Sequence, residues 1–311
     1  MAPVLIRDVQ FERNSTQDRH NRKFGDWRDV DDPGAFILEA WGQGFMFGAL
    51  LIMAIITITN MKRGVLLHKM ILLELVLAMS HGTFCFMSFD GYGYYLSSTA
   101  ALLYCSYFTH NIVAWLKIKP FFTGPQPFFG FQYSTWVRWI YLTTLGMTAP
   151  VLIFEICNNF RFFNNFSRLY ATVRPYEPLM RDPWWIFSCF TLFHVIKGSY
   201  NLKLIKLIQR SPRFGIMLLA IVLAVCFTIV DILSTIIRDL SITDGINPYW
   251  KLAVVFKCLT DNILLDDFKS VLQKLSNTET HQAGANGTLR ASLNLSKVGG
   301  SEHREGTGSQ D

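Results

Sequence analysis

Seven apolar stretches, each close to the length of a bilayer crossing, alternate with short polar turns along this chain. The most regular runs from Phe214 to Ile237 and is interrupted by a single ionisable residue, Asp231. A helix needs about 20 apolar residues to cross the hydrocarbon core. An acid at that depth costs about 2.5–3.5 kcal/mol on insertion scales, so it usually faces a polar interior. The pattern predicts an all-α, polytopic membrane protein, a seven-transmembrane-helix bundle.

The other six stretches carry similar interruptions. The first, about Phe36 to Ile58, holds Glu39 and Trp41 near its start. The second, about Val65 to Ser88, holds Glu74 and His81, seven apart and therefore on one helical face. The third, about Tyr95 to Ile118, carries His110 and Asn111. The fourth, about Ser134 to Ile156, ends at Glu155, and Pro150 is expected to kink it. The fifth, about Trp184 to Ile205, carries His194. The last, Tyr249 to Phe268, includes Lys257 and Asp261, four apart and able to pair. Its charge leaves two readings open, a seventh crossing or an amphipathic helix lying at the interface.

The connections are of three kinds. Pro120 to Tyr133 is rich in Pro, Gly and Phe and reads as an irregular interfacial loop. Cys157 to Pro183 is the longest internal loop, and its Arg174–Trp185 part reads as a connector or as a lid on the bundle. The ends are polar. Residues 1–35 form a polar N-terminal tail, 36–275 the seven-helix membrane domain, and 276–311 a tail whose Ser, Gly, Asn and Thr content predicts disorder. No short apolar region near the start is followed by a small-residue cleavage site, so the first span is expected to act as the insertion signal.

Composition sharpens this picture. Charged residues make up 17% of the chain, below the roughly 25% of soluble domains. The net charge of +6 comes from basic residues at span ends, a topology signal that argues against nucleic-acid binding. Lys62, Arg63, Lys117, Lys119, Lys206, Arg210 and Arg213 fall on one side of the predicted membrane. That side becomes cytosolic, which places the N-terminus in the lumen, most simply of the endoplasmic reticulum, and the C-terminus in the cytosol. Arg161, Arg168, Arg174 and Arg181 in the long loop dissent. Of the four sequons, only Asn14 and Asn165 are then open to glycosylation, and sugar on Asn286 or Asn294 contradicts the orientation. The six cysteines include no CxxC pair, which disfavours both a disulfide framework and a zinc site.

Chemistry is suggested by the ionisable residues inside the spans. No HExxH, paired histidine box or Asp-Asp-x-x-Asp is present, so no metal or other cofactor is expected. Acids in an aromatic-rich bundle suit Brønsted-acid chemistry on a lipophilic substrate, because a carboxyl group held neutral can donate its proton. Asp231, Glu155 and Glu74 are the candidate acids, and His81 would orient one or accept the final proton. Glu39, His110, His194, Lys257, Asp261, Phe84 and Tyr107 are candidate substrate contacts, the aromatic faces being suited to a cationic intermediate.

Several stretches carry a resemblance: Arg174-Pro-Tyr-Glu-Pro-Leu-Met-Arg-Asp-Pro-Trp-Trp-Ile-Phe187, Ser211-Pro-Arg-Phe-Gly215, Gly245-Ile-Asn-Pro-Tyr-Trp-Lys-Leu-Ala253 with Phe256-Lys-Cys-Leu-Thr-Asp261, and Gly64-Val-Leu-Leu-His-Lys69. They resemble a fungal seven-helix membrane family. Its characterised members are the membrane-bound terpene cyclases of meroterpenoid pathways such as ascofuranone and macrophorin biosynthesis. The resemblance implies acid-initiated cyclisation of a prenylated intermediate, with or without an epoxide, in secondary metabolism. The partners implied are that lipophilic molecule and membrane lipid. A receptor-like sensor or a scaffold binding a small lipophilic ligand is the alternative. A transporter fits poorly, since no internal repeat is visible.

Overall fold

The computed structural model describes residues 33–62, 64–86, 92–123, 129–200, 208–209, 212–237 and 247–263. No strand occurs among them. Helix α1 spans Pro33–Asn60 and α2 Leu66–His81, the latter followed by a 3-10 turn, Gly82–Phe86. Helices α3 (Tyr92–Phe122) and α4 (Phe131–Phe163) are the longest. The connector after α4 holds α5 (Leu169–Val173), a 3-10 turn (Arg174–Tyr176) and α6 (Glu177–Arg181). Then come α7 (Pro183–Tyr200), α8 (Pro212–Ile236) and α9, residues 249–263. Each of the seven predicted stretches therefore contains a helix. Three of these, α1, α4 and α8, are long and apolar enough to cross a membrane, which marks a membrane-associated protein.

Two connections differ from expectation. Helix α3 continues through Pro120 to Phe122, so the predicted irregular segment begins later. Helix α4 runs seven residues past Ile156, because Asn158 and Asn159 are buried and continuing the helix carries them inward. Pro150 sits inside this helix, without the break a proline often causes. The chain then turns at Asn165, whose φ of 64° lies in the left-handed region that asparagine tolerates. The rest of the predicted loop coils into short helical turns, with prolines in the opening positions of two of them. The predicted disordered tail, nearly all of the polar N-terminal tail and the sequons at Asn14, Asn286 and Asn294 lie outside the described residues.

Helix α8 shows which face turns inward. Ile216, Leu219, Val222, Ile229, Leu233 and Ile236 are exposed, while Ala220, Ala224, Thr228, Asp231 and Ser234 are buried at helical spacing. Small and polar side chains inside, large apolar ones outside, is the pattern expected where lipid is the solvent. Packing then rests on close contact and hydrogen bonds, since lipid is as apolar as leucine.

Side-chain contacts also set helix directions. Glu39 and Thr57, near the two ends of α1, meet Lys251 and Asn262 in the same order along α9, so these helices run parallel. Asp231 and Ser234, late in α8, meet Asn247 just before α9, which makes α8 antiparallel to it. The end of α2 meets the start of α9 through His81 and Trp250, again antiparallel. Glu155, late in α4, shares a crevice with Tyr104, early in α3, while Tyr141, earlier in α4, donates to the Asn111 carbonyl further along α3. These two are antiparallel as well.

Helix α9 is the spine. Lys251, Ala253, Val254, Val255, Lys257, Cys258, Thr260 and Asp261 are all buried. Such burial shows that α9 packs inside the protein, with neighbours on most of its faces. Asn247 starts the helix: its Oδ1 accepts the Tyr249 amide at 2.9 Å, a cap that satisfies an orphan donor. Each buried charge then meets a partner from another element. Lys251 donates to Glu39 of α1 at 2.6 Å, Lys257 donates to Asp182 before α7 at 2.7 Å, and Asp261 accepts from Lys117 of α3. Gly42 of α1 lets the Lys251 stem approach, since a Cβ there would stand 3.3 Å from its Cδ.

Removing one partner of a buried pair strands the other charge, at a cost of about 3–5 kcal/mol. Lys251→Met is therefore expected to destabilise by about that much, and Lys251→Met with Glu39→Gln to recover most of the loss. Thermal unfolding in detergent checks this. Equal destabilisation by the single and double variants would contradict the pairing.

Candidate active site

The structure divides the predicted site residues among several places. Glu39 is held by Lys251 and by Gln43, which donates to it at 3.2 Å. Asp231 accepts from the Asn247 amide at 2.5 Å, and Asn247 also donates to Ser234 at 2.7 Å. Asp231 thus ties α8 to the start of α9. The His81 Nδ1 lies 3.3 Å from the Thr99 hydroxyl, with the ring between Phe84 and Trp250. Phe84 is buried there, in a small cluster with Leu96. His194 is exposed and stacks on Phe129, beside an aromatic groove of about 330 Å³ that also includes Tyr133 and Phe190.

A second group lies deep in the bundle. The His110 Nδ1 is 2.7 Å from Glu74 and 3.4 Å from Asp261. Lys117 sits on the other Asp261 oxygen, and the Cys258 thiol donates to Glu74 at 3.4 Å. Glu74, His110 and Asp261 each bring one ligand atom within 4.8 Å of the others, a spacing a cation could use. As it stands the Lys117 ammonium supplies the positive charge, and the contacts of His110 and Lys117 with the two carboxylates tie α2, α3 and α9 together.

Glu155 and Tyr107 are brought together. They line a crevice between α3 and α4 that is covered by α6. Helix α3 contributes Tyr104, Tyr107, Phe108 and Asn111, and α4 contributes Thr148, Val151, Leu152 and Glu155. Glu177, Met180 and Arg181 close the space from α6. The space open to water-sized groups measures about 30 Å³, within a crevice of about 390 Å³ counted to its open mouth. The first figure is room for about one or two water-sized groups.

Polar groups organise this crevice. Tyr104 donates to Glu177 at 2.7 Å. Burial pushes the Glu177 carboxyl above its ordinary range, and the Tyr104 hydrogen bond and the guanidinium groups of Arg174 and Arg181 only partly oppose it. The Arg181 guanidinium lies over the Tyr107 ring, 4.6 Å from its centre. Its Nε donates to Asp182 at 3.0 Å, and the same carboxylate receives Lys257. Burial alone would raise the Asp182 carboxyl, but Arg181 and then Lys257 overcome it and hold it at about 2.

Sequence reasoning missed Glu177 and Arg181 as lining residues. The spacing of Arg174, Glu177 and Arg181 was the available signal, since steps of three and four put them on one helical face. The Arg174–Trp185 stretch is both connector and cover. No known protein family, curated protein or solved structure matches the chain.

Acid should test the Asp182 hub. Its folded value lies below the unfolded one, so its stabilising contribution is complete above 3.8 and is lost as pH falls through about 2. Asp182→Asn is expected to lower stability at neutral pH and to flatten the acid limb between those values. Thermal melts across that range measure it, and an unchanged limb contradicts the assignment.

Proposed function

We propose that this chain is a membrane-bound terpene cyclase that closes rings on a prenylated meroterpenoid intermediate, with Glu155 as the proton donor. The observation that carries this reading is the crevice itself. A half-buried carboxyl group, Glu155, and the aromatic rings of Tyr104, Tyr107 and Phe108 line one space between two long helices. Among the predicted acids, Glu155 alone lines it; Glu74 and Asp231 are bonded elsewhere.

The chemistry follows from these groups. Glu155 transfers its proton to an epoxide oxygen or to an olefinic carbon of the prenyl chain. The positive charge that forms on carbon lies near the faces of the aromatic rings, which attract a cation. A second olefin attacks that carbon and forms the ring bond. The Glu155 carboxylate takes back a proton from the adjacent carbon, whose C–H electrons form the new double bond, and leaves a neutral product of unchanged mass. Val151, Leu152 and Met180 give the space apolar walls, where water must be kept from the cation.

The membrane arrangement belongs to the same reading. Parallel α1 and α9 with antiparallel α2 and α8 support a serpentine of seven crossings. With the N-terminus in the endoplasmic reticulum lumen, the connector and crevice lie toward the lumenal side. Asn165 is exposed in that connector, consistent with a glycosylated sequon.

A second reading is favoured by one observation. The space in the crevice open to water-sized groups is small, about 30 Å³, which suits a receptor-like protein holding a small ligand. The test separates the two. The chain is expressed in a host that lacks it and an epoxy-farnesylated phenol is supplied. A cyclised isomer is expected, and Glu155→Gln should reduce its formation by roughly a hundredfold or more. No isomer from the unaltered protein supports the sensor, and full activity in Glu155→Gln overturns the acid assignment.

A further inference from the structure

The crevice holds one cation that the proposed acid chemistry does not use, beside the carboxyl groups of Glu155 and Glu177. Arg181 lines it with a side chain only 10% exposed. Its Nε donates to Asp182 at 3.0 Å and its Nη2 reaches the other oxygen at 3.5 Å. Among the described residues the Nη1 group has no hydrogen-bond acceptor. Asp182 also takes Lys257 at 2.7 Å, so one carboxylate answers two cations. Arg174, on the same face of the connector, makes no ion pair among the described residues.

Another unpartnered group faces the same space. Asn111 lines the crevice, is 3% exposed, and its side-chain oxygen has no hydrogen-bond partner. Its main-chain carbonyl is occupied by the Tyr141 hydroxyl at 3.0 Å, which fixes this turn of α3. Amide oxygen and nitrogen are interchangeable by rotation, so this terminus can accept from a ligand or donate to one. A buried polar group without a partner costs about 1–3 kcal/mol, which a ligand would relieve.

The geometry points to a head-group subsite here: Arg181 and Asn111 receive the carboxylate of an amphiphilic substrate whose apolar tail lies along Phe108, Val151, Leu152 and Met180. This rests on the cyclase reading and names its substrate class, an isoprenoid chain ending in a single carboxylate. Two features select that class. The space open to water-sized groups, about 30 Å³, suits a carboxylate better than a ring system or a diphosphate. The end of the Arg181 guanidinium turned away from Asp182 still offers N–H groups to a second carboxylate. Met180, flexible and at the open side, can move to admit the tail.

The test measures equilibrium binding to the full chain in nanodiscs, using a farnesyl-chain carboxylic acid, its methyl ester and farnesyl diphosphate. The acid is expected to bind roughly tenfold or more tightly than the ester, with the diphosphate weaker than the acid. Arg181→Gln should erase the acid-over-ester preference. Arg181→Lys, which keeps the charge but not the fork, should retain part of it. Equal binding of acid and ester, tighter binding of the diphosphate, or a preference that survives Arg181→Gln overturns the subsite. The acid–ester comparison uses the unaltered protein, so it decides the matter even if Arg181→Gln fails to fold. The two proposals fail separately. A clear preference without ring closure would sink the cyclase and keep the subsite. Ring closure of neutral and acidic substrates with equal efficiency would do the reverse.

Discussion

An unpaired charge is the most expensive thing this fold could bury, and α9 brings three of them to its centre. Lys251, Lys257 and Asp261 are each almost wholly buried. The charges answering them come from α1, from the residue before α7 and from α3. Because a helix fixes the rise between these side chains, the three pairs also fix how far each neighbour is displaced along α9. Register is therefore set by charge pairing, which is among the better attested uses of buried ionic groups.

Apolar packing fills the space around this ionic spine. One cluster joins α1, α2, α3 and α9 through Met46, Leu50, Leu75 and Val254. The other joins α3, α4, α7 and α8 through Trp115, Tyr141, Leu192 and Met217. Helix α3 belongs to both, and it also supplies Lys117 and His110 to the ionic tie. Its crevice-lining residues Tyr104, Tyr107, Phe108 and Asn111 are thus presented by a helix held on several sides. A site built there keeps its geometry, and the single turn of α6 that covers it is tied to α3 by the Tyr104–Glu177 hydrogen bond and to α9 through Asp182.

Much of the fold was legible in the chain because hydrophobic length is a strong signal. Phe36–Ile58 and Phe214–Ile237 match α1 and α8 within a few residues at each end. The limits of α4 were not legible, since Asn158 and Asn159 read as loop residues until their burial is known. The site was less legible still. Ionisable residues inside spans suggest chemistry, yet the same residue types also join helices in lipid. Sequence spacing can show that Lys257 and Asp261 share a face. It cannot show that each reaches away to a different helix instead of pairing with the other. Glu155 was legible as an acid late in its helix, but its neighbours Glu177 and Arg181 come from a connector with no apolar pattern to place them.

Two classes of carboxyl group follow from this arrangement. Glu39, Glu74, Asp182 and Asp261 are engaged with cationic or histidine partners, whereas Glu155 borders an apolar crevice. A lipophilic carbodiimide modifies carboxyl groups that are both protonated and reachable from the membrane, and peptide mass spectrometry locates the adduct. The account predicts modification of Glu155 with Glu39, Glu74, Asp182 and Asp261 spared. Adducts on Glu74 or Asp261 with Glu155 untouched would contradict it.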